Sequence, residues 1–114
     1  MPLNTSTPKR LADARYIGNT YANVYVVPAS TKAIVKEIVL CNTDTSARTV
    51  SVRVVPSGET AGDEHCIFKD LVIAAKTTYI ASGLSMVLEA DEDIDAVADV
   101  ASKVTIRISG IEVV

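Results

Sequence analysis

The stretch Val24–Asp44, VYVVPASTKAIVKEIVLCNTD, decides how this chain folds. Two apolar runs of strand length flank Pro28-Ala29-Ser30-Thr31, a sequence with the chemistry of a turn. The second run, Ile34 to Cys41, is apolar on both alternating faces, with only Lys36-Glu37 interrupting it. Side chains alternate sides along a strand, so a strand with one wet face reads apolar, polar, apolar. This run therefore asks for a cover on each face. One parity places Val35, Val39 and Cys41 in a core and turns Ile34, Ile38 and Leu40 toward another subunit or an overlying segment. Parity alone allows the two sets to be exchanged. Lys36 and Glu37 face opposite ways, and each needs a partner if buried.

Outward from this stretch, turn chemistry breaks the chain at short intervals. The breaks fall at Gly18-Asn19, Asn42 to Ser46, Pro56-Ser57-Gly58, Ala75-Lys76, Ser82-Gly83, Ala90-Asp91-Glu92 and Ala101-Ser102. Between them lie short runs rich in β-branched residues. Val50, Val52 and Val54 alternate against Thr49, Ser51 and Arg53. Val104, Ile106 and Ile108 repeat the pattern, after which Ile111 and Val113 fall on the opposite parity, and this predicts a β-bulge at Gly110. Glu92 to Ser102 fits a helical stripe of Ile94, Val97, Ala98 and Ala101. It fits better a strand with Ile94, Ala96, Ala98 and Val100 inward, because its neighbours are strands. Eight or nine strands at this spacing predict an all-β fold, an antiparallel β-sandwich of jelly-roll type. Residues 1–10, MPLNTSTPKR, are polar and hold two prolines, so they read as an extended N-terminal arm before a single domain of residues 11–114.

Composition supports one domain with a substantial core. The 114 residues are 48 % hydrophobic with a mean hydropathy of +0.27, yet contain no Trp and only one Phe. Such a chain must fill its core with Val, Ile, Leu and Ala, and the surplus leaves apolar area for an interface. No apolar run reaches the roughly 18 residues of a membrane span. A net charge of −3 argues against a nucleic-acid surface. Cys41 and Cys66 are too few for a disulfide framework and are expected as free buried thiols.

The search for catalytic chemistry comes up empty. His65-Cys66 brings two reactive residue types together, but neighbours on a strand point to opposite faces and cannot pair. The chain has a single His, so a triad would have to be completed around it. Six of the 14 carboxylates lie between Glu89 and Asp99, without the spacing or glycine of a calcium loop. They read as a solvated acidic turn that protects an edge strand, or as a dock for a basic partner. Cofactor motifs are missing, because the glycines are scattered and zinc would find at most Cys41, His65 and Cys66. Tyr16, Tyr21, Tyr25 and Tyr79 could serve a sugar only from one shared face.

The order of segments is similar to a family of small structural proteins of tailed bacteriophages. The similarity runs from Pro8 to Val113: a Lys-Arg-Leu start, the VPAST-AIVK-I-LCNT block, the VPSG-TAG loop, the LVLEA-type turn before Asp93-Ile94, and a terminal ISG-E. One departure is that Asp91-Glu92-Asp93 stands where the family carries Gly-Asp. The resemblance implies a non-enzymatic virion protein used in repeated copies, with no catalytic residues to carry over. The expectation is a capsid-surface decoration or cement subunit, made in the host cytoplasm and residing on the virion. It would associate with itself as a trimer and with major capsid or other virion proteins, with neither nucleic acid nor membrane as partner. Lys9, Arg10, Ile34, Ile38 and Leu40 are the expected interface residues. A tail or neck component and a carbohydrate-binding module for host attachment are the alternatives.

Overall fold

The apolar runs become strands in a computed structural model that describes residues 5–114. In chain order they are β1 (Ser6–Tyr16), β2 (Ala22–Val26), β3 (Lys32–Asn42), β4 (Arg48–Val55), β5 (Cys66–Ile73), β6 (Thr78–Ala81), β7 (Met86–Leu88), β8 (Asp93–Ala98) and β9 (Val104–Val113). A short 3₁₀ turn, Asp63–His65, precedes β5. The five-stranded sheet has the order β1-β9-β3, with β6 and β7 both on the far edge of β3. The four-stranded sheet has the order β2-β8-β4-β5, and every pairing is antiparallel. Successive strands from β1 to β4 hop between the sheets, and β6 and β7 act as one interrupted strand. This is the jelly-roll form of the antiparallel β-sandwich.

The core lies between the sheets. Ile38, Leu40, Ile106 and Ile108 from one sheet meet Val50, Val52 and Ile94 from the other, each at most 1 % exposed. β8 is a strand, with Ile94, Ala96 and Ala98 inward; Val100 falls beyond its end. Asn42, fully buried at the end of β3, donates through Nδ2 to the carbonyls of Ser46, Ile73 and Ala74. These bonds fasten the β3–β4 turn to the end of β5, and they satisfy an amide that would otherwise be costly to bury.

The long apolar run of β3 resolves in a way that parity could not give. A bulge between Val35 and Glu37 makes Lys36 an extra residue opposite Gly110 and Ser109. The inward set is therefore Ala33, Val35, Ile38, Leu40 and Asn42, while Ile34, Val39 and Cys41 are half-buried on the outside. Ile38 and Leu40 are core residues, which corrects their expected place at an interface. The physical reason is the one-residue phase shift that a bulge imposes. The bulge expected on β9 thus sits on β3, and β9 keeps its phase through Gly110 to Glu112. Gly110 is still needed there: a Cβ would run into the Ile34 carbonyl oxygen, with Leu11 Cδ1 at 2.9 Å.

The N-terminal arm is also corrected. Residues 1–4 lie outside the described residues, but Ser6–Arg10 are the first half of β1. Ser6 pairs with Val113, Pro8 with Ile111 and Lys9 with Gly110. Thr5 and Val114 exchange backbone hydrogen bonds of 3.0 and 3.1 Å just beyond. The proposed boundary at residue 10 therefore falls inside a strand. Prolines and charges that read as an arm also suit an edge strand, where a missing N–H is tolerated and charge discourages further pairing.

Candidate functional site

The outer face of the five-stranded sheet carries what the core leaves over. Pro8, Ile111, Ile34 and Val87 stand directly opposite one another on β1, β9, β3 and β7, forming one apolar row across the sheet. Val87 is 56 % exposed and Ile34 and Ile111 are half-buried. A second pair, Val39 and Ile80, lies further along, with Ile80 also 56 % exposed. Val113 and Val114 extend the apolar surface beside a groove of about 300 Å³ next to the Lys32–Glu89 ion pair. Arg10, Lys32, Lys36 and Arg107 stand exposed around these side chains. The strands of this sheet carry six basic residues against three acidic ones, although the whole chain is at −3. Of those three acids, Asp13 pairs with Arg10 at 3.2 Å and Glu112 has the inward parity.

Glu112 closes a polar bridge at the seam between the sheets. One carboxylate oxygen accepts from Lys9 Nζ at 3.0 Å and the other accepts a short 2.5 Å bond from the Tyr25 hydroxyl. The Tyr25 bond, helped by Lys9, holds the Glu112 carboxyl below its usual range against the opposing effect of burial. Burial and the facing carboxylate raise the Tyr25 phenol strongly. Of the five expected interface residues, Arg10 and Ile34 are thus on the outer face, Lys9 serves the seam, and Ile38 and Leu40 fill the core. The sequence reading missed Pro8, Val87, Ile80 and Ile111. The parity change at Ile111 was the available signal, but it was read as a bulge.

The outer face of the four-stranded sheet is different. Asp93 and Asp95 project from β8, which lies between β2 and β4 and so does not form the protected edge expected of the acidic stretch. Arg53 Nε donates to Asp95 Oδ2 at 3.3 Å, and its guanidinium carbon lies 3.6 Å from the centre of the Tyr21 ring. Asp91, in the turn before β8, has φ 66°, the left-handed conformation that a glycine would adopt without strain.

The reactive residues are engaged separately. His65 Nδ1 accepts from the Gly62 N–H at 3.1 Å and Nε2 lies 3.0 Å from Glu59 Oε1. Cys66 Sγ is 4.0 Å from the Tyr21 hydroxyl, and both cysteines are free and half-buried. The tyrosines do not share a face: Tyr16 is on β1, Tyr21 lies under Arg53, Tyr25 turns to Glu112, and Tyr79 meets Phe68 edge-on at 5.7 Å. Among the described residues, no group of three His, Cys, Asp or Glu side chains could hold a metal ion, and no helix is long and apolar enough to cross a membrane.

No protein-family model and no curated protein matches the sequence. The fold is shared with solved structures at low identity. A protein from the capsid of Helicobacter pylori bacteriophage KHP30, described as an acid-stable capsid, superposes with a TM-score of 0.53 at 16 % identity, over 98 % of this chain and 94 % of that one. A protein of the infectious bursal disease virus particle gives 0.60 at 8 % identity; 97 % of this chain covers only 31 % of it. A subunit of Bacillus endospore appendages, described as disulfide-linked pili, gives 0.56 at 12 % identity over 97 % and 89 % of the two chains.

Proposed function

We propose that this chain is a structural protein of a bacteriophage virion, a decoration or cement subunit that docks on the capsid through the outer face of its five-stranded sheet. One observation carries the reading: an apolar row, Pro8–Ile111–Ile34–Val87, faces outward among basic side chains on a jelly roll. Contiguous exposed apolar surface with a polar rim marks a protein–protein contact. Capsid and pilus proteins with the same fold support a role in repetitive assembly. The interior of the sandwich is packed with aliphatic side chains, and His65 and Cys66 contact separate partners, Glu59 and Tyr21.

The test is particle incorporation of an Ile34→Asp, Val87→Asp variant, with tagged wild-type protein located on virions by electron microscopy. The expected result is a label on the capsid shell, a folded variant, and loss of that variant from particles. Wild-type levels of the variant in particles would overturn the docking face. A label confined to the tail would replace the decoration role with a tail role. The mass of the purified protein in solution, expected as three times 12.1 kDa, tests self-association as a trimer.

A further inference from the structure

Asp93 and Asp95 are two residues apart on β8, so their carboxyl groups emerge side by side from the same face of the four-stranded sheet. Asp95 is only 7 % exposed. Among the described residues, one oxygen of each, Oδ1 in both cases, is buried without a hydrogen-bond partner. Two adjacent carboxylates, both charged and both missing a donor, would be costly to keep from water. One cation among the described residues faces them, Arg53 on β4, and its bond goes to the other oxygen of Asp95. Asp93 is left opposite Val55 on β4 and Val26 on β2, neither of which can donate from its side chain.

The remaining charged and titratable groups nearby are already engaged. Tyr21 stacks under Arg53 and contacts Cys66, while Lys69 on β5 pairs with Asp63 at 3.5 Å. Asp70 accepts from Ser51, and Glu92, in the turn before β8, accepts from the Glu89 N–H at 2.9 Å. Among the described residues, no donor reaches either orphaned oxygen.

We infer that Asp93 and Asp95 share one proton on the outer face of the four-stranded sheet, so that mild acid tightens this sheet and neutral pH loosens it. Asp93 is the member that takes the proton, because the Arg53 guanidinium bonds Asp95 instead. Burial and then the neighbouring Asp95 push the Asp93 carboxyl up to about 6, against a smaller opposing pull from Arg53. In the window from about 4 to about 6, Asp93 therefore binds more protons in the folded chain than in the unfolded one. Its contribution to stability rises as the pH falls through that window and is lost as it climbs back. The inference rests on these two carboxyl groups alone and is independent of the docking face.

The experiment is thermal unfolding of the full chain from about pH 5 to about pH 7.5, for wild type and Asp93→Asn, with carbon-13 NMR titration of the Asp93 carboxyl in the wild type. The wild-type melting temperature is expected to fall by several degrees across this range. Asp93→Asn, which donates an N–H permanently, is expected to flatten the profile and to exceed the wild type at neutral pH. The Asp93 carboxyl is expected to titrate near 6. Parallel profiles for the two proteins, or an Asp93 midpoint in the ordinary carboxylate range, would overturn the inference. The NMR arm decides the matter even if the variant does not fold.

Discussion

The two outer faces of this sandwich solve opposite problems. On the four-stranded sheet, Ser51 and Asp95 point away from the core yet are 2 % and 7 % exposed, because Arg53, Tyr21 and Asp70 close over them. On the five-stranded sheet, Val87 and Ile80 point away from the core and are each 56 % exposed. One face has hidden Ser51 and Asp95 with its own side chains. It leaves only Val26 and Val72, on its two edge strands, as exposed large aliphatics among the described residues. The other lines its apolar groups up in a row across the sheet. Burial against water is the same driving force in both places, and the difference lies in whether this chain or another supplies the cover.

Among changes to the outer side chains, breaking the covered face should cost the most stability. Arg53→Met removes the cation above Asp95 and the stack on Tyr21, leaving a buried carboxylate uncompensated. A loss of about 3 kcal/mol at neutral pH is expected in denaturant unfolding. A loss below about 0.5 kcal/mol would mean that this face is not sealed as described.

Next in size is Gly110→Ala, beneath the exposed row. Its Cβ would press on the Ile34 carbonyl, and the β3–β9 register would have to open. A loss of about 1–3 kcal/mol is expected. Retention of full stability would show that the bulge at Lys36 relaxes freely and does not define which residues face out.

The seam between the faces is tested by Tyr25→Phe. A loss of about 1–2 kcal/mol at pH 7 is expected, because Glu112 loses its phenolic donor. The depressed Glu112 carboxyl supplies stability above its ordinary value of 4.5 that disappears as the pH falls through its folded value. In Tyr25→Phe that acid loss should be shallower, and an unchanged acid limb in unfolding curves would sink the assignment.

The smallest effect on stability sharpens the contrast most. Ile34→Ala should cost less than about 1 kcal/mol, whereas Ile38→Ala, four residues along the same strand, should cost roughly 2–5 kcal/mol. Equal losses in unfolding experiments would deny that the bulge divides β3 into an outward and an inward set.

Much of this architecture was legible from residue order. Turn chemistry at Pro28-Ala29-Ser30, Pro56-Ser57-Gly58 and Ser82-Gly83 marked the breaks, and period-two runs such as Val50-Val52 and Val104-Ile106-Ile108 marked the strands. The strand reading of Glu92 to Ser102 held over Asp93–Ala98 because its inward residues are Ile94, Ala96 and Ala98. The docking face was legible only as surplus apolar character in Ile34–Cys41, and its members were not. Ile38 and Leu40 are chemically indistinguishable from outward aliphatics. Pro8 and Lys9 read as an arm because their pairing partners lie about a hundred residues away on β9.

The sequence by itself determined that the chain would be an all-β sandwich with apolar surface to spare, since alternation and turn chemistry are local properties carried by neighbouring residues. Only the tertiary structure decided which apolar residues face out, that the first strand closes the sheet, and that Asp93 and Asp95 each bury an oxygen without a partner among the described residues. Those outcomes depend on register, and a single extra residue at Lys36, accommodated by the missing side chain of Gly110, reverses the facing of everything beyond it on β3.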